Sequence, residues 1–187
     1  MTAIKENITA NPTPQRIERI KPLTARAGLL AIGHHVYWPQ FDVLLDEMHR
    51  KLRLVQDRIE AHGVEVASFG MLDTAQAAYD AVPKIKAADI DILFVDMATY
   101  GTSSTFGILC REINVPIVLV ALQPLAAMDY ANGTTYMQLC NDDFCSVPEF
   151  TGVAIRFGRR PPPVILGHEE NDAVAEGEFK TWCGIAK

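Results

Sequence analysis

The segment AGLLAIGHHVYWPQFDVLLDEMHRKLRLVQDRI, residues 27–59, decides the fold class of this chain. Residues 27–33 are an unbroken apolar run that ends in a glycine, which is typical of a buried strand. Residues 41–59 repeat apolar side chains at the 3.6-residue period of a helix, and Pro39 suits its first turn because the missing N–H would be unpaired there. The segment therefore predicts a strand, a turn rich in histidine and aromatic side chains, and a long helix that ends at Gly63.

The same alternation of strand and helix continues along the chain. Further patterns predict strands at 64–70, 91–98, 115–123 and 162–168, and helices at 74–89, 104–114, 147–158 and 173–186. The strands are apolar on both faces, as in a parallel sheet that helices cover on both sides. We therefore predict an α/β fold over residues 27–187, an open doubly wound parallel sheet of the flavodoxin-like, three-layer αβα type. Residues 1–26, with two prolines and weak periodicity, are predicted to form an irregular N-terminal arm.

The composition narrows the partners and the compartment. Hydrophobic residues make up 49% of the chain, and the net charge is −6 with acidic and basic residues mixed, which disfavours nucleic acid and anionic membranes as partners. No apolar stretch reaches the roughly 20 residues that a membrane helix needs, and no secretory signal is visible. The four cysteines form no CxxC pair, so we expect them to be reduced and the protein to be cytoplasmic.

Polar and aromatic residues follow four of the predicted strands. They are GHHVYW at 33–38, DMATYGTSS at 96–104, ALQPLAAMDY at 121–130 and GHEEND at 167–172. Because parallel strands end at the same edge of a sheet, and ligands gather outside their carboxyl ends, these stretches should converge. The pattern predicts a ligand-binding site at this edge.

Each stretch also has a purely structural interpretation. The histidines at 34–35 suit a solvated loop, and Tyr37 and Trp38 suit a contact that fastens the helix to the sheet. The hydroxyl residues at 102–104 suit a helix cap as well as a weak phosphate cradle, and residues 168–172 suit a solvated loop better than a metal site. The motifs GxSxG, HExxH and GxGxxG are absent, which argues against the common hydrolase, zinc-protease and dinucleotide-binding classes. No residue is assigned to catalysis or to a metal.

Five segments, in this order along the chain, carry a resemblance to a known family: IGHHVYW, DILFVDMATY, NVPIVLVALQPLAAMDY, QLCNDDFCSVPEFTGVAIRFGR and PPVILGH. Together they resemble the N-terminal domain of the L-arabinose isomerase and L-fucose isomerase superfamily, over roughly residues 27–186. The family's glycine and His-aliphatic-Tyr turn after the first strand is matched by Gly33 and by the residues His35, Val36 and Tyr37. Its turn after the third strand is matched loosely at Tyr100, and its glutamine after the fourth strand is matched by Gln123.

A later family segment, Asn-x-x-x-His-Gly-Gly-x-Glu-Phe, is matched at Asn141, Glu149 and Phe150. The His-Gly-Gly of arabinose isomerases is replaced here by Cys145-Ser146-Val147. The chain therefore departs from a typical arabinose isomerase, and the identity of its sugar stays open.

The resemblance implies a function in sugar isomerisation. Members of the family interconvert aldoses and ketoses with a divalent metal, usually Mn²⁺, whose ligands and acid–base residues lie in later domains and therefore outside this chain. In the oligomeric relatives the strand-end turns of this domain help to close the active site of a neighbouring subunit. By that resemblance the substrate-lining residues here are His35, Val36, Tyr37, Tyr100 and Gln123, and the partners are a small sugar, the later domains and further copies in a homo-oligomer.

Two expectations follow for the chain alone. Residues 1–187 should be inactive by themselves, because catalysis belongs to the later domains of the family. The last predicted helix carries Phe179, Trp182 and Ile185, which are expected to pack on such a domain. The alternative is a stand-alone, non-catalytic domain that binds a sugar or a phosphate, and the sequence does not decide between the two.

Overall fold

Five parallel strands form the centre of the computed structural model, which describes residues 24–186. The strands are β1 (Arg26–Ile32), β2 (Glu65–Leu72), β3 (Ile92–Asp96), β4 (Ile117–Gln123) and β5 (Val164–His168). The helices are α1 (Leu44–Ala61), α2 (Ala75–Ala87), α3 (Ser103–Glu112), α4 (Thr135–Cys140), α5 (Val147–Arg156) and α6 (Ala173–Ala186), and a short 3-10 helix spans His35–Tyr37. In the described residues no helix combines the length and the apolar character needed to cross a membrane.

The strand order is β2-β1-β3-β4-β5, and every neighbouring pair is parallel. Helices α1 and α6 pack on one face, over a core that includes Met48 and Phe94, while α2, α3 and α5 cover the other face over Phe106 and Phe150. The strands are buried on both faces because each crossover helix lies against the sheet, as the apolar runs predicted. The predicted flavodoxin-like, three-layer α/β fold is confirmed.

The start of α1 differs from its prediction. The helix begins at Leu44, whereas the apolar period suggested a start at residue 41 with Pro39 in the first turn. The residues between form separate turns, in which Gln40 and Phe41 both donate their backbone N–H to the Tyr37 carbonyl oxygen. Pro39 therefore belongs to the turn after the 3-10 helix, not to α1.

Other boundaries agree with the sequence or refine it. Gly63 has the left-handed φ of 69° expected of a residue that ends a helix. Helix α4 was not predicted, because its six residues are too few for a periodic signal. The predicted arm, residues 1–26, lies outside the described residues except for its last three, of which Arg26 already belongs to β1.

The prediction that Phe179 of α6 faces outward, toward a later domain, is wrong. Phe179 is fully buried and stacks on Phe94 of β3, with ring centroids 6.3 Å apart. Trp182 is partly buried against the same core, and only Ile185 is well exposed. Helix α6 is thus an integral part of this domain's own core.

Candidate functional site

A cleft of about 360 Å³ opens at the carboxyl edge of the sheet. It lies between the turn that follows β1, the loop that follows β3, and helix α4 together with the two residues after it, Asn141 and Asp142. We call it the aromatic cleft, and its walls include Tyr37, Phe41, Tyr100, Gln138, Leu139 and Asp142. Its size is within the range of small-molecule sites, and its lining combines aromatic faces with amide and carboxyl groups.

An imidazole lies beside the two tyrosines of the cleft. The His34 ring makes an edge contact with Tyr37, with centroids 5.5 Å apart, and lies 6.1 Å from the Tyr100 ring. Its Nδ1 is buried and has no hydrogen-bond partner. Burial is the main cause of a raised pKa for the Tyr37 hydroxyl, with further contributions from Asp142 and Tyr100. These residues therefore form one compact polar and aromatic group.

The structure separates the five residues that the resemblance placed on the substrate. Tyr37 and Tyr100 line the aromatic cleft, but His35 and Val36 are exposed and do not. The His35 Nδ1 lies 3.3 Å from the Asp73 carbonyl oxygen. Consecutive residues of a 3-10 helix point in different directions, so His35, Val36 and Tyr37 do not share one surface. His34, which the sequence left without a role, is the histidine that joins the tyrosines.

Gln123 fixes the main chain near the cleft and is not among its lining residues. Its Nε2 donates to the Asn141 carbonyl oxygen at 2.8 Å, and the Asn141 Oδ1 accepts the N–H of Leu125 at 3.1 Å. This pair of bonds ties the end of β4 to the end of α4. The glutamine thus acts on the cleft through the backbone that it holds.

Trp38 has a structural role: it fastens the turn after β1 to the sheet. Its indole Nε1 donates to the Asp73 carboxylate at 2.7 Å, which joins the turn after β1 to the end of β2. A Cβ atom built on Gly33 would lie 3.0 Å from the Trp38 ring, so the glycine admits this close approach. Trp38 therefore fastens the turn to the sheet.

A buried ionic group, which we call the Lys51 cluster, lies under the cleft and consists of Lys51, Asp96 and Asp143. All three side chains are 2% exposed or less. The Lys51 ammonium donates to the Ala98 carbonyl at 3.0 Å, the Cys140 carbonyl at 2.9 Å and the Asp143 Oδ1 at 2.6 Å. All three ammonium protons are therefore used, one by the segment after β3 and two by the end of α4 and the turn that follows it.

Burial dominates the titration of the two carboxyl groups in this cluster. It raises the pKa of Asp96 to about 7 and that of Asp143 to about 8, and the Lys51 charge offsets only part of the rise. The Oδ2 atoms of both aspartates are buried without a hydrogen-bond partner. Since the two carboxyl groups interact, a proton belongs to the couple and not to either residue alone.

Sequence patterns contained a signal for this cluster that was missed. Lys51 falls on the apolar face of α1, three residues after Met48 and four before Val55, where a solvated lysine would not stand. Asp96 ends a strand that is otherwise wholly apolar. A charged residue at a position where the pattern calls for an apolar one indicates a buried ion pair, because an isolated buried charge is strongly unfavourable.

The loop after β3 is held by Ser146. The Ser146 hydroxyl accepts the N–H of Gly101 at 3.0 Å and donates to the Gly101 carbonyl at 3.1 Å. Thr102 is the first residue before α3, but it makes no side-chain cap bond; the Glu149 carboxylate accepts the Ser103 N–H at 3.1 Å instead. A carboxylate thus occupies the place that a bound phosphate would need at this helix start.

Residues 168–172 have structural roles. Asp172 accepts the N–H groups of His168, Val174 and Ala175, and these bonds lower its pKa and cap the start of α6. Glu169 is buried and pairs with Arg50 at 2.5 Å. Across residues 24–186, no group of three or more His, Cys, Asp or Glu side chains is arranged to hold a metal ion.

The chain was compared with protein-family models and with curated proteins. No protein-family model matches the chain, and a search of curated proteins finds no significant match. The fold and the geometry of the aromatic cleft are therefore the observations from which a function is argued.

Proposed function

We propose that this chain is the N-terminal domain of a metal-dependent aldose–ketose sugar isomerase of the arabinose and fucose isomerase type, and that it binds a small sugar in the aromatic cleft. The observation that carries the proposal is the cleft itself, where two tyrosines and His34 stand beside amide and carboxyl groups at the carboxyl edge. Aromatic faces pack on the C–H faces of a sugar, and amides and carboxylates bond its hydroxyls.

The residues divide into two groups under this proposal. Tyr37 and Tyr100 contact the sugar, and Gln138 and Asp142 supply hydrogen bonds from the α4 side. His35 and Val36 remain available on the surface for the sugar or for a neighbouring subunit, as the resemblance implies. By the resemblance, the Mn²⁺ of the family is held by later domains.

A stand-alone sugar- or phosphate-binding domain is the alternative. The Glu149 carboxylate at the start of α3 disfavours the phosphate version, because it would repel a second anion there. A sugar carries no charge, and the cleft is lined by neutral aromatic and amide groups next to one carboxyl group. Both remaining versions of the function therefore use the same cleft and a sugar ligand.

The test measures binding of L-arabinose and L-fucose to residues 1–187. Saturation-transfer difference NMR is the method, because it detects millimolar affinity. We expect saturation of sugar protons with the unchanged chain and a loss of about tenfold or more in affinity for Tyr100→Ala. Tyr130→Ala is the matched control, because Tyr130 is 89% exposed and does not line the cleft. Equal binding by both variants, or no binding of either sugar, would contradict the proposal.

A further inference from the structure

The cleft is formed by segments that lack a shared ladder of backbone hydrogen bonds. Tyr100 lies in the loop after β3, and Asp142 lies in the turn after α4. Such segments keep their relative positions only through side-chain and tertiary contacts. Besides the bonds between Ser146 and Gly101, the Lys51 ammonium joins the two segments: it bonds the Ala98 carbonyl on one side and the Cys140 carbonyl and Asp143 on the other.

The charges around that ammonium do not balance if every carboxyl group is ionised. Lys51 faces two buried carboxyl groups, Asp96 and Asp143, while the third nearby carboxylate, Glu169, pairs with Arg50, which also pairs with the partly exposed Glu47. One cation and two carboxylates would leave a net negative charge in a site that water does not reach, which is strongly unfavourable. A single proton carried by the Asp96 and Asp143 couple removes that charge.

We propose that Lys51 is the positioning residue of the aromatic cleft, and that it holds the cleft in its binding geometry only while Asp96 and Asp143 share one proton. Loss of that proton leaves an uncompensated buried charge, which is relieved when water enters and the segments at Ala98 and Cys140 separate. The proposal deepens the proposed function and rests on it to the extent that the cleft is the sugar site. It makes sugar affinity fall as the pH rises.

Titratable and charged groups from four parts of the structure interact with this couple or with the residues next to it. They are Glu47, Arg50, Lys51 and Arg58 of α1, Cys140 of α4, Asp142 and Cys145 of the following turn, and Glu169 after β5. Burial raises the pKa of Cys145 to about 12, and Arg50 and Arg58 both contact Glu169. The Asp96 and Asp143 couple is therefore the part of this group that is expected to change charge near neutral pH.

The experiment follows carboxyl carbons and tyrosine rings of the full chain by NMR between pH 5 and 10, with ¹³C-labelled aspartate and tyrosine. In the unchanged protein we expect one proton to leave the couple near neutral or weakly alkaline pH and the Tyr100 ring signals to shift with the same midpoint. Asp96→Asn should abolish this titration, since Lys51 and Asp143 then balance each other. It should also leave the Tyr100 signals constant over that range.

Sugar affinity gives the second measurement. L-arabinose and L-fucose should bind the unchanged chain about fivefold or more weakly at pH 9 than at pH 6.5, a change within the usual range of coupling between sites. For Asp96→Asn the difference should vanish. Asp89→Asn is the matched control, because it removes an exposed carboxylate far from the cluster at a left-handed position that asparagine also accepts.

A third variant tests Lys51 itself. Lys51→Met alone would strand two buried carboxyl groups and could prevent folding, so the double change Lys51→Met with Asp143→Asn is used. We expect it to fold, to shift the Tyr100 signals at every pH and to bind sugar at least tenfold more weakly. Wild-type Tyr100 signals in the double variant, or no aspartate titration above pH 6 in the unchanged chain, would overturn the proposal.

The two proposals fail in different ways. The carboxyl titration and the Tyr100 signals involve no sugar, so a chain that titrates as expected and binds neither sugar contradicts the proposed function alone. A chain that binds sugar with the same affinity from pH 6.5 to 9 contradicts the role of the Lys51 cluster alone.

Discussion

Replacing Ser146 by alanine tests how the loop that carries Tyr100 is held. The Ser146 side chain is fully buried, and its hydroxyl bonds both the N–H and the carbonyl of Gly101. Alanine leaves both backbone groups without this partner in a buried position. Each unsatisfied buried group costs about 1–3 kcal/mol, so for the two groups we expect Ser146→Ala to lower the free energy of unfolding by about 2–6 kcal/mol.

The loop has little freedom to find new partners. A Cβ atom on Gly101 would lie 2.5 Å from the Ile32 Cγ2, so the backbone is seated directly on the end of β1. A shift large enough to bond other groups would break this contact. We therefore expect Ser146→Ala to show the whole of this loss in the free energy of unfolding. If the cleft is the sugar site, sugar binding should weaken as well, because Tyr100 is the residue before Gly101, which would no longer be held.

Urea unfolding, monitored by far-UV circular dichroism, measures the effect. The slope of the free energy against urea concentration must stay unchanged for the difference to report stability. Ser104→Ala is the control, because Ser104 is exposed and its replacement should stay within about 0.5 kcal/mol. A loss below about 0.5 kcal/mol for Ser146→Ala would refute the argument that its hydroxyl holds the loop.

Two further predictions concern the core and the pH. Phe179→Ala should lower the free energy of unfolding by about 3–5 kcal/mol, since the ring is fully buried against Phe94, whereas Ile185→Ala, at 59% exposure, should change it by about 0.5 kcal/mol or less in the same urea assay. Equal effects of the two changes would contradict the placement of α6 in the core. The free energy of unfolding should also fall as the pH rises from about 4 to about 8, because burial raises the pKa of the Asp96 and Asp143 couple in the folded state, so that the folded chain keeps there one proton that the unfolded chain has lost. Asp96→Asn should flatten this fall, and a slope equal to that of the unchanged chain would contradict the shared proton.

The sheet could be predicted from sequence because its signal is strong and local. The strand at residues 117–123 is apolar up to its last residue, and α1 repeats apolar residues through five turns, so burial on both faces follows directly. The details that failed lie where local patterns are weak. Pro39 and Phe41 fit the period of α1 but are held in separate turns by bonds to Tyr37, and α4 is too short to be periodic.

The site was predictable only in its location. Parallel topology brings the ends of β1, β3 and β4 to one edge, and Tyr37, Tyr100 and Gln123 lie at or just after these strand ends. Which side chain enters the cleft depends on a 3-10 turn and on tertiary hydrogen bonds, neither of which has a sequence period. This is why His34 replaces His35 beside the tyrosines, and why Gln123 bonds a backbone carbonyl.

Three polar contacts support the segments around the aromatic cleft. Lys51 joins the segments at Ala98 and Cys140, Ser146 holds Gly101, and Gln123 holds Asn141. Each bonds backbone groups of a segment that belongs to no strand, and these are the groups that the sheet cannot satisfy. Ser146 stands where the resembled family has the first glycine of His-Gly-Gly, and a glycine has no hydroxyl to make these bonds. Under the proposed function, this departure from the family motif changes the support of the cleft as well as its sequence, and we expect differences in sugar preference to arise from such supporting residues while the sheet beneath stays the same.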